Sequence, residues 1–129
     1  MIRRTVNTLL AGALLGLSSL ANAIDLRPFD ASALAGLQSA GKPVAVHFHA
    51  NWCPTCVSQT RAFDQMKSAG QLQGLTVLVA DYDKETELRR TLKVRSQSTL
   101  VVYRGKDEVA RSAGQTDPEA LRKALAAAL

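Results

Sequence analysis

The sequence predicts an α/β domain with a central mixed sheet of about four strands flanked by helices. Three observations carry this. Short apolar runs of strand length recur at residues 44–49, 75–80 and 99–103. Stretches with apolar residues at helical spacing separate them. The chain has 129 residues, 47% hydrophobic and 21% charged, which suits one folded domain and excludes a disordered chain.

In chain order, Asp30 opens a helix whose residues Ala33, Leu34, Leu37 and Ala40 recur at helical spacing, and Gly41 ends it. Residues 44–49 follow as a strand buried on both faces. A second helix is expected over about 53–69. Pro54 is tolerated in its first turn, and Val57, Ala62, Phe63 and Met66 share one face. Residues 75–80 form the second strand, 84–92 a short charged helix and 99–103 the third strand. Gly105 turns the chain into a fourth strand at 108–111. Thr116-Asp117-Pro118-Glu119 is a helix-start signature, with Thr and Glu three apart, and Leu121, Leu125 and Leu129 line the final helix. The order is therefore α-β-α-β-α-β-β-α. Strands separated by helices are expected to pair in parallel, and the last two as an antiparallel hairpin.

The N-terminus has the three-part layout of a secretory signal. Met1-Ile2-Arg3-Arg4 is basic, residues 9–20 are apolar apart from Gly and Ser, and Ala21-Asn22-Ala23 is a small-x-small cleavage site. The apolar stretch is 12 residues, short of the roughly 20 that span a bilayer. Residues 1–23 are read as a signal peptide cleaved after Ala23, and 24–129 as the domain, with retention as an anchor as the alternative. Export places the domain in the periplasm. The formal charge of +5 falls to +3 without Arg3 and Arg4. The remaining basic residues are scattered, without the aromatic interleaving of a nucleic-acid binder.

Only two cysteines exist, Cys53 and Cys56. A disulfide between them closes a tiny loop and constrains the unfolded chain little. In an exported domain such a pair reads as reactive. It lies where a buried strand meets a helix. Unpaired N–H groups and the positive end of the helix dipole there favour a thiolate at Cys53. Cys53 is then the nucleophile and Cys56 the thiol that resolves the mixed disulfide. Pro54 removes one N–H that would otherwise face the thiolate.

Residues 46–56, Val-His-Phe-His-Ala-Asn-Trp-Cys-Pro-Thr-Cys, resemble the active-site segment of the thioredoxin superfamily, including Trp52 before the first cysteine. Residues 92–103 resemble its second loop and following strand, and Gly114 matches a family glycine. The resemblance covers the whole of 24–129. It implies a thioredoxin fold, a reactive first cysteine, no cofactor, and substrate peptides docking on Trp52, Pro54, Thr55, Gln97 and Ser98. Three positions depart from the family pattern. His47 stands where a buried carboxylate is usual, and is expected to do proton work in the resolving step. Ser98 stands at the loop's cis-proline. A cis bond before a residue other than proline costs about 2.5–4 kcal/mol, so a trans Gln97–Ser98 bond and an altered substrate set are expected. The Pro54-Thr55 dipeptide does not settle redox direction.

These readings converge on a periplasmic thiol–disulfide oxidoreductase, a reductant of disulfides in exported proteins fed by an inner-membrane thiol carrier. With no inserted domain and no evident dimerisation segment, a monomer is expected. The alternatives are a periplasmic oxidant, a metal carrier delivering copper through the cysteines with His47 and His49, and a noncatalytic binding module.

Overall fold

The computed structural model describes residues 23–129. The expected signal peptide lies outside the described residues except for Ala23. The elements run β1 (Asp25–Pro28), α1 (Ala31–Ser39), β2 (Pro43–His49), α2 (Pro54–Ser68), β3 (Thr76–Asp81), α3 (Thr86–Leu92), β4 (Thr99–Arg104), β5 (Asp107–Ala113) and α4 (Pro118–Ala126). They build one five-stranded sheet in the order β1-β3-β2-β4-β5.

The four expected strands are present, and β1 is a fifth. Its sequence, Asp-Leu-Arg-Pro, carries no strand signal of its own. It exists because β3 offers a free edge: Asp25 registers with Thr76 and Pro28 with Val79, in parallel. An edge strand tolerates Pro28, which has no N–H to donate.

The all-parallel expectation for strands joined by helices fails at β4. β2 pairs in parallel with β3 but antiparallel with β4, Phe48 opposite Thr99 and Val44 opposite Tyr103. The reason is length. The seven residues of α3 rise only about 10 Å, while the six-residue β3 spans about 20 Å. The connection therefore stays at the end of the sheet where β3 finishes, and β4 starts there and runs back.

The pleat of β2 divides the core. Val44, Val46 and Phe48 pack on one face with Leu34, Leu78 and Val101, against which Leu37 and Leu88 lie. Ala45 lies on the other face with Ala62, Phe63, Met66, Leu121 and Leu125. Five consecutive residues of β2 are buried, as a strand covered on both faces requires.

Three helix details differ from the sequence reading. On α2 the buried residues are Cys56, Gln59, Ala62, Phe63 and Met66, whereas Val57 is exposed. The inward stripe is set by Cys56, which faces the sheet, and Val57 is one residue further round. On α4 the cap is Asp117, whose carboxylate accepts from Ala120 N–H, in place of Thr116. The helix ends at Ala126, so Ala128 is buried while Leu129 is exposed. Finally, α3 begins at Thr86, because Asp81 Oδ1 accepts from the N–H of Asp83 and of Lys84 and holds the preceding residues in a turn.

Candidate active site

β2 delivers the chain to the C-terminal end of the sheet, and Cys53 N–H bonds Ala50 O at 3.1 Å to close the turn into α2. Cys53 is the N-cap of α2, with an extended backbone (φ −95°, ψ 113°) and Pro54 directly after it. Its sulfur takes the place of the usual capping oxygen, accepting Cys56 N–H at 3.3 Å. Pro54 costs the thiolate nothing, because the N–H groups that face the sulfur belong to Thr55 and Cys56. This corrects the expectation that Pro54 removes a useful donor: the N–H it lacks belongs to the first helical residue, which the cap does not use.

Cys53 is almost fully enclosed, 4% exposed. Burial alone would raise its pKa. The hydrogen bond from Ser98, the Cys56 thiol beside it and the N–H groups of Cys56 and Thr55 outweigh it and lower Cys53 from 9 to about 7. Cys56 is wholly buried and moves the other way. Burial raises its pKa, the Ser98 hydroxyl opposes this, and the neighbouring Cys53 adds to the rise. The pair is thus polarised into an acidic outer thiol and a reluctant inner one.

Ser98 reaches both sulfurs. Its Oγ lies 2.9 Å from Cys56 Sγ and 3.3 Å from Cys53 Sγ. The Gln97–Ser98 peptide is trans, as expected from the missing proline. The residue adopts a left-handed φ of 63°, unusual for a residue other than glycine. Three hydrogen bonds to its backbone groups hold it there: Ser98 N–H to Phe48 O at 2.8 Å, and Ser98 O from Gly114 N–H at 3.1 Å and from the Gln59 side-chain Nε2 at 3.0 Å. Such conformations persist where the surroundings over-determine them, and they cluster at functional sites.

Gln59 is the residue the sequence reading passes over. Its Nε2 donates to Ser98 O and to Gln115 O (2.9 Å), while its Oε1 pairs with His47 Nε2 at 2.7 Å. Both amide donors meet carbonyl oxygens, so the amide cannot be flipped, and His47 must carry its proton on Nε2. A signal existed: a glutamine one turn after Cys56 on the apolar stripe Cys56, Gln59, Phe63, Met66 is a polar group that must find buried partners.

His47 does not reach the thiols. It is wholly buried, edge-on to Phe63 with ring centroids 5.0 Å apart, and neither ring nitrogen bonds a sulfur. Burial lowers its pKa to about 4, the hydrogen bond it donates to Gln59 Oε1 opposes this, and His49 lowers it further. At neutral pH it is an uncharged imidazole, linked to the site through Gln59. That geometry leaves the expected proton role without a direct path.

The remaining predicted residues lie on the rim. Trp52 is 62% exposed and donates from Nε1 to Asp83 at 2.7 Å. Between the cysteines, Pro54 is exposed and Thr55 half-buried, and Gln97, next to Ser98, is half-buried. His49 pairs with Asn51 at 3.0 Å. The two histidines and two cysteines therefore do not converge. Among the described residues no group of three or more His, Cys, Asp or Glu side chains is placed to hold a metal ion.

Comparison with known proteins agrees with this geometry. The family model described as Thioredoxin matches residues 29–127. A bifunctional thioredoxin reductase/thioredoxin from Mycobacterium leprae is 34% identical over 96 residues, 74% of this chain and 21% of that protein. A thioredoxin from rice, Oryza sativa subsp. japonica, is 34% identical over 84 residues, 65% of this chain and 59% of that protein. The chain thus spans about a fifth and about three fifths of these two relatives. The crystal structure of Trxlp from Edwardsiella tarda superimposes with a TM-score of 0.74 at 34% identity, covering 78% of this chain and 98% of that one.

Proposed function

From the premise that this chain belongs to the thioredoxin family, we propose that it is an exported thiol–disulfide oxidoreductase that reduces disulfides in periplasmic proteins. The observation that carries the chemistry is the Cys53 sulfur at the start of α2, capped by Cys56 N–H and lowered to about 7. At neutral pH about half of it is thiolate, ready to attack a substrate disulfide. Attack releases one substrate thiol and leaves a mixed disulfide on Cys53. Cys56, buried directly behind, resolves it and releases the second. An inner-membrane thiol carrier then returns the pair to the dithiol state.

The acidity of Cys53 supports the reducing direction. A disulfide oxidises more strongly the more its thiolate is stabilised. Reducing members of the fold have a nucleophilic thiol near about 7, and strong oxidants near about 3.5. The described elements also hold no inserted helical unit for gripping unfolded chains. Export rests on the basic, apolar and small-x-small layout of residues 1–23. Ile24 is buried and its N–H bonds Gln71 O, so a chain starting there keeps every described element.

The deciding experiment is the reduction potential of the Cys53–Cys56 couple against glutathione. A value near about −270 mV supports the reductant, whereas one near about −120 mV makes the protein an oxidant. The mass of protein recovered from the periplasm tests export. It is expected to begin at Ile24, and full-length chain in the membrane fraction refutes cleavage.

A further inference from the structure

A hydroxyl has one proton to give and two lone pairs to receive with. Ser98 Oγ, 2.9 Å from Cys56 Sγ and 3.3 Å from Cys53 Sγ, can therefore donate to only one of the sulfurs while accepting from the other. The N–H groups at the start of α2 favour negative charge on Cys53, so Ser98 donates there and accepts the thiol proton of Cys56. The result is a continuous line from Cys56 S–H through Ser98 O–H to the Cys53 sulfur.

Cys56 needs such a line. It must lose its proton to act, yet it is fully buried. The other titratable groups around it are Cys53 on its own helix, Tyr82 packed against the Ala50–Cys53–Cys56 cluster, and His47 and His49 on β2. None of the last three bonds a sulfur. Tyr82 donates to Arg95 O, His47 pairs with Gln59, and His49 with Asn51. Resting on the oxidoreductase reading above, we propose that Ser98 is a catalytic residue that carries the Cys56 proton during resolution of the mixed disulfide.

In that step Cys56 Sγ bonds Cys53 Sγ, the bond from Cys53 to the substrate sulfur breaks, and its electron pair leaves with the substrate. The departing sulfur is bonded to Cys53 Sγ, about 2 Å from it, beside the hydroxyl that points there. The Cys56 proton moves to Ser98 Oγ as the Ser98 proton moves to that sulfur, so Ser98 ends neutral. The cysteine pair is oxidised to a disulfide. The substrate disulfide is reduced to two thiols, the first having left as a thiolate when Cys53 attacked. Gln59 is a positioning residue here: it grips Ser98 O and Gln115 O and keeps the hydroxyl between the sulfurs.

The test compares wild type with Ser98→Ala and Ser98→Gly. Each reduced protein is mixed with excess oxidised glutathione and acid-quenched, and the mixed disulfide on Cys53 is counted by intact mass from pH 6 to 8. Both variants are expected to accumulate the mixed disulfide at pH 6 and to resolve it at a rate rising about tenfold per pH unit, as hydroxide replaces the hydroxyl. Wild type is expected to resolve it at a nearly constant rate. Glycine accepts a φ of 63° without strain. Slow resolution confined to Ser98→Ala therefore marks a conformational effect and overturns the relay. So do variants that keep the wild-type rate and pH slope, and in both of those cases the oxidoreductase reading survives. A wild type that forms neither the mixed disulfide nor the Cys53–Cys56 disulfide overturns both.

Discussion

Helices α2 and α4 start with the same local design. In each a capping side chain precedes a proline, Cys53-Pro54 and Asp117-Pro118, and accepts the N–H three residues on. The distances are 3.3 Å from Cys56 N–H to Cys53 Sγ and 3.0 Å from Ala120 N–H to Asp117 Oδ2. Both caps sit at the positive end of a helix dipole. Their surroundings differ. Asp117 is exposed, and water meets what its carboxylate leaves unpaired. Cys53 is enclosed, with the Ser98 hydroxyl as its other partner. A helix start supplies a fixed field. Burial and one neighbouring hydroxyl turn that field from a structural cap into a reactive thiol.

The largest effect that sharpens this contrast is chemical. Cys53→Ser keeps a side chain that caps α2 well but has no accessible anion, so disulfide exchange in an insulin-reduction assay is expected to fall to background while the melting temperature holds. Cys56→Ser is expected to retain attack and accumulate mixed disulfides with substrates. If Cys56 were instead alkylated faster than Cys53 at mildly acidic pH, the two roles would be exchanged. In wild type, the rate of Cys53 alkylation is expected to rise with pH around a midpoint near 7.

The next effect concerns the histidine behind the site. His47 is neutral in the folded protein, with a pKa lowered from 6.5 to about 4 by burial. Between those values the unfolded chain binds the proton and the folded one does not. The stability tied to His47 is therefore fully present above about pH 6.5 and is lost as pH falls toward 4. At about 1.4 kcal/mol per pH unit the loss amounts to roughly 3 kcal/mol. Urea unfolding across that range measures it. His47→Phe is expected to flatten the slope while lowering stability at neutral pH, because Gln59 Oε1 loses its donor. An unchanged slope would show that His47 is not the titrating group.

The smallest effect is at the other cap. Asp117→Ala removes the side-chain partner of Ala120 N–H and is expected to cost about 1 kcal/mol of stability. Exchange activity is expected to be unchanged. A loss of activity there would mean that the start of α4 is coupled to the thiols, through Gln115 and its bond to Gln59.

What the sequence by itself determined is what short-range physics controls. Strand and helix periods, the Asp30 cap, the proline after Cys53 and the Cys-x-x-Cys spacing act within one or two turns, so the element order from α1 onward and the reactive pair were legible. The trans bond at Ser98 followed from the identity of a single residue. Only the tertiary structure decided the rest. β1 is a strand because β3 leaves an edge open, and β4 runs antiparallel to β2 because α3 is too short to return the chain. The Ser98 hydroxyl meets sulfurs 45 and 42 residues away, and Gln59 joins partners 12, 39 and 56 residues distant. No local preference encodes such meetings. They arise because a buried polar group in a low-dielectric interior must be paired, and the packed sheet and helices determine which partner is within reach.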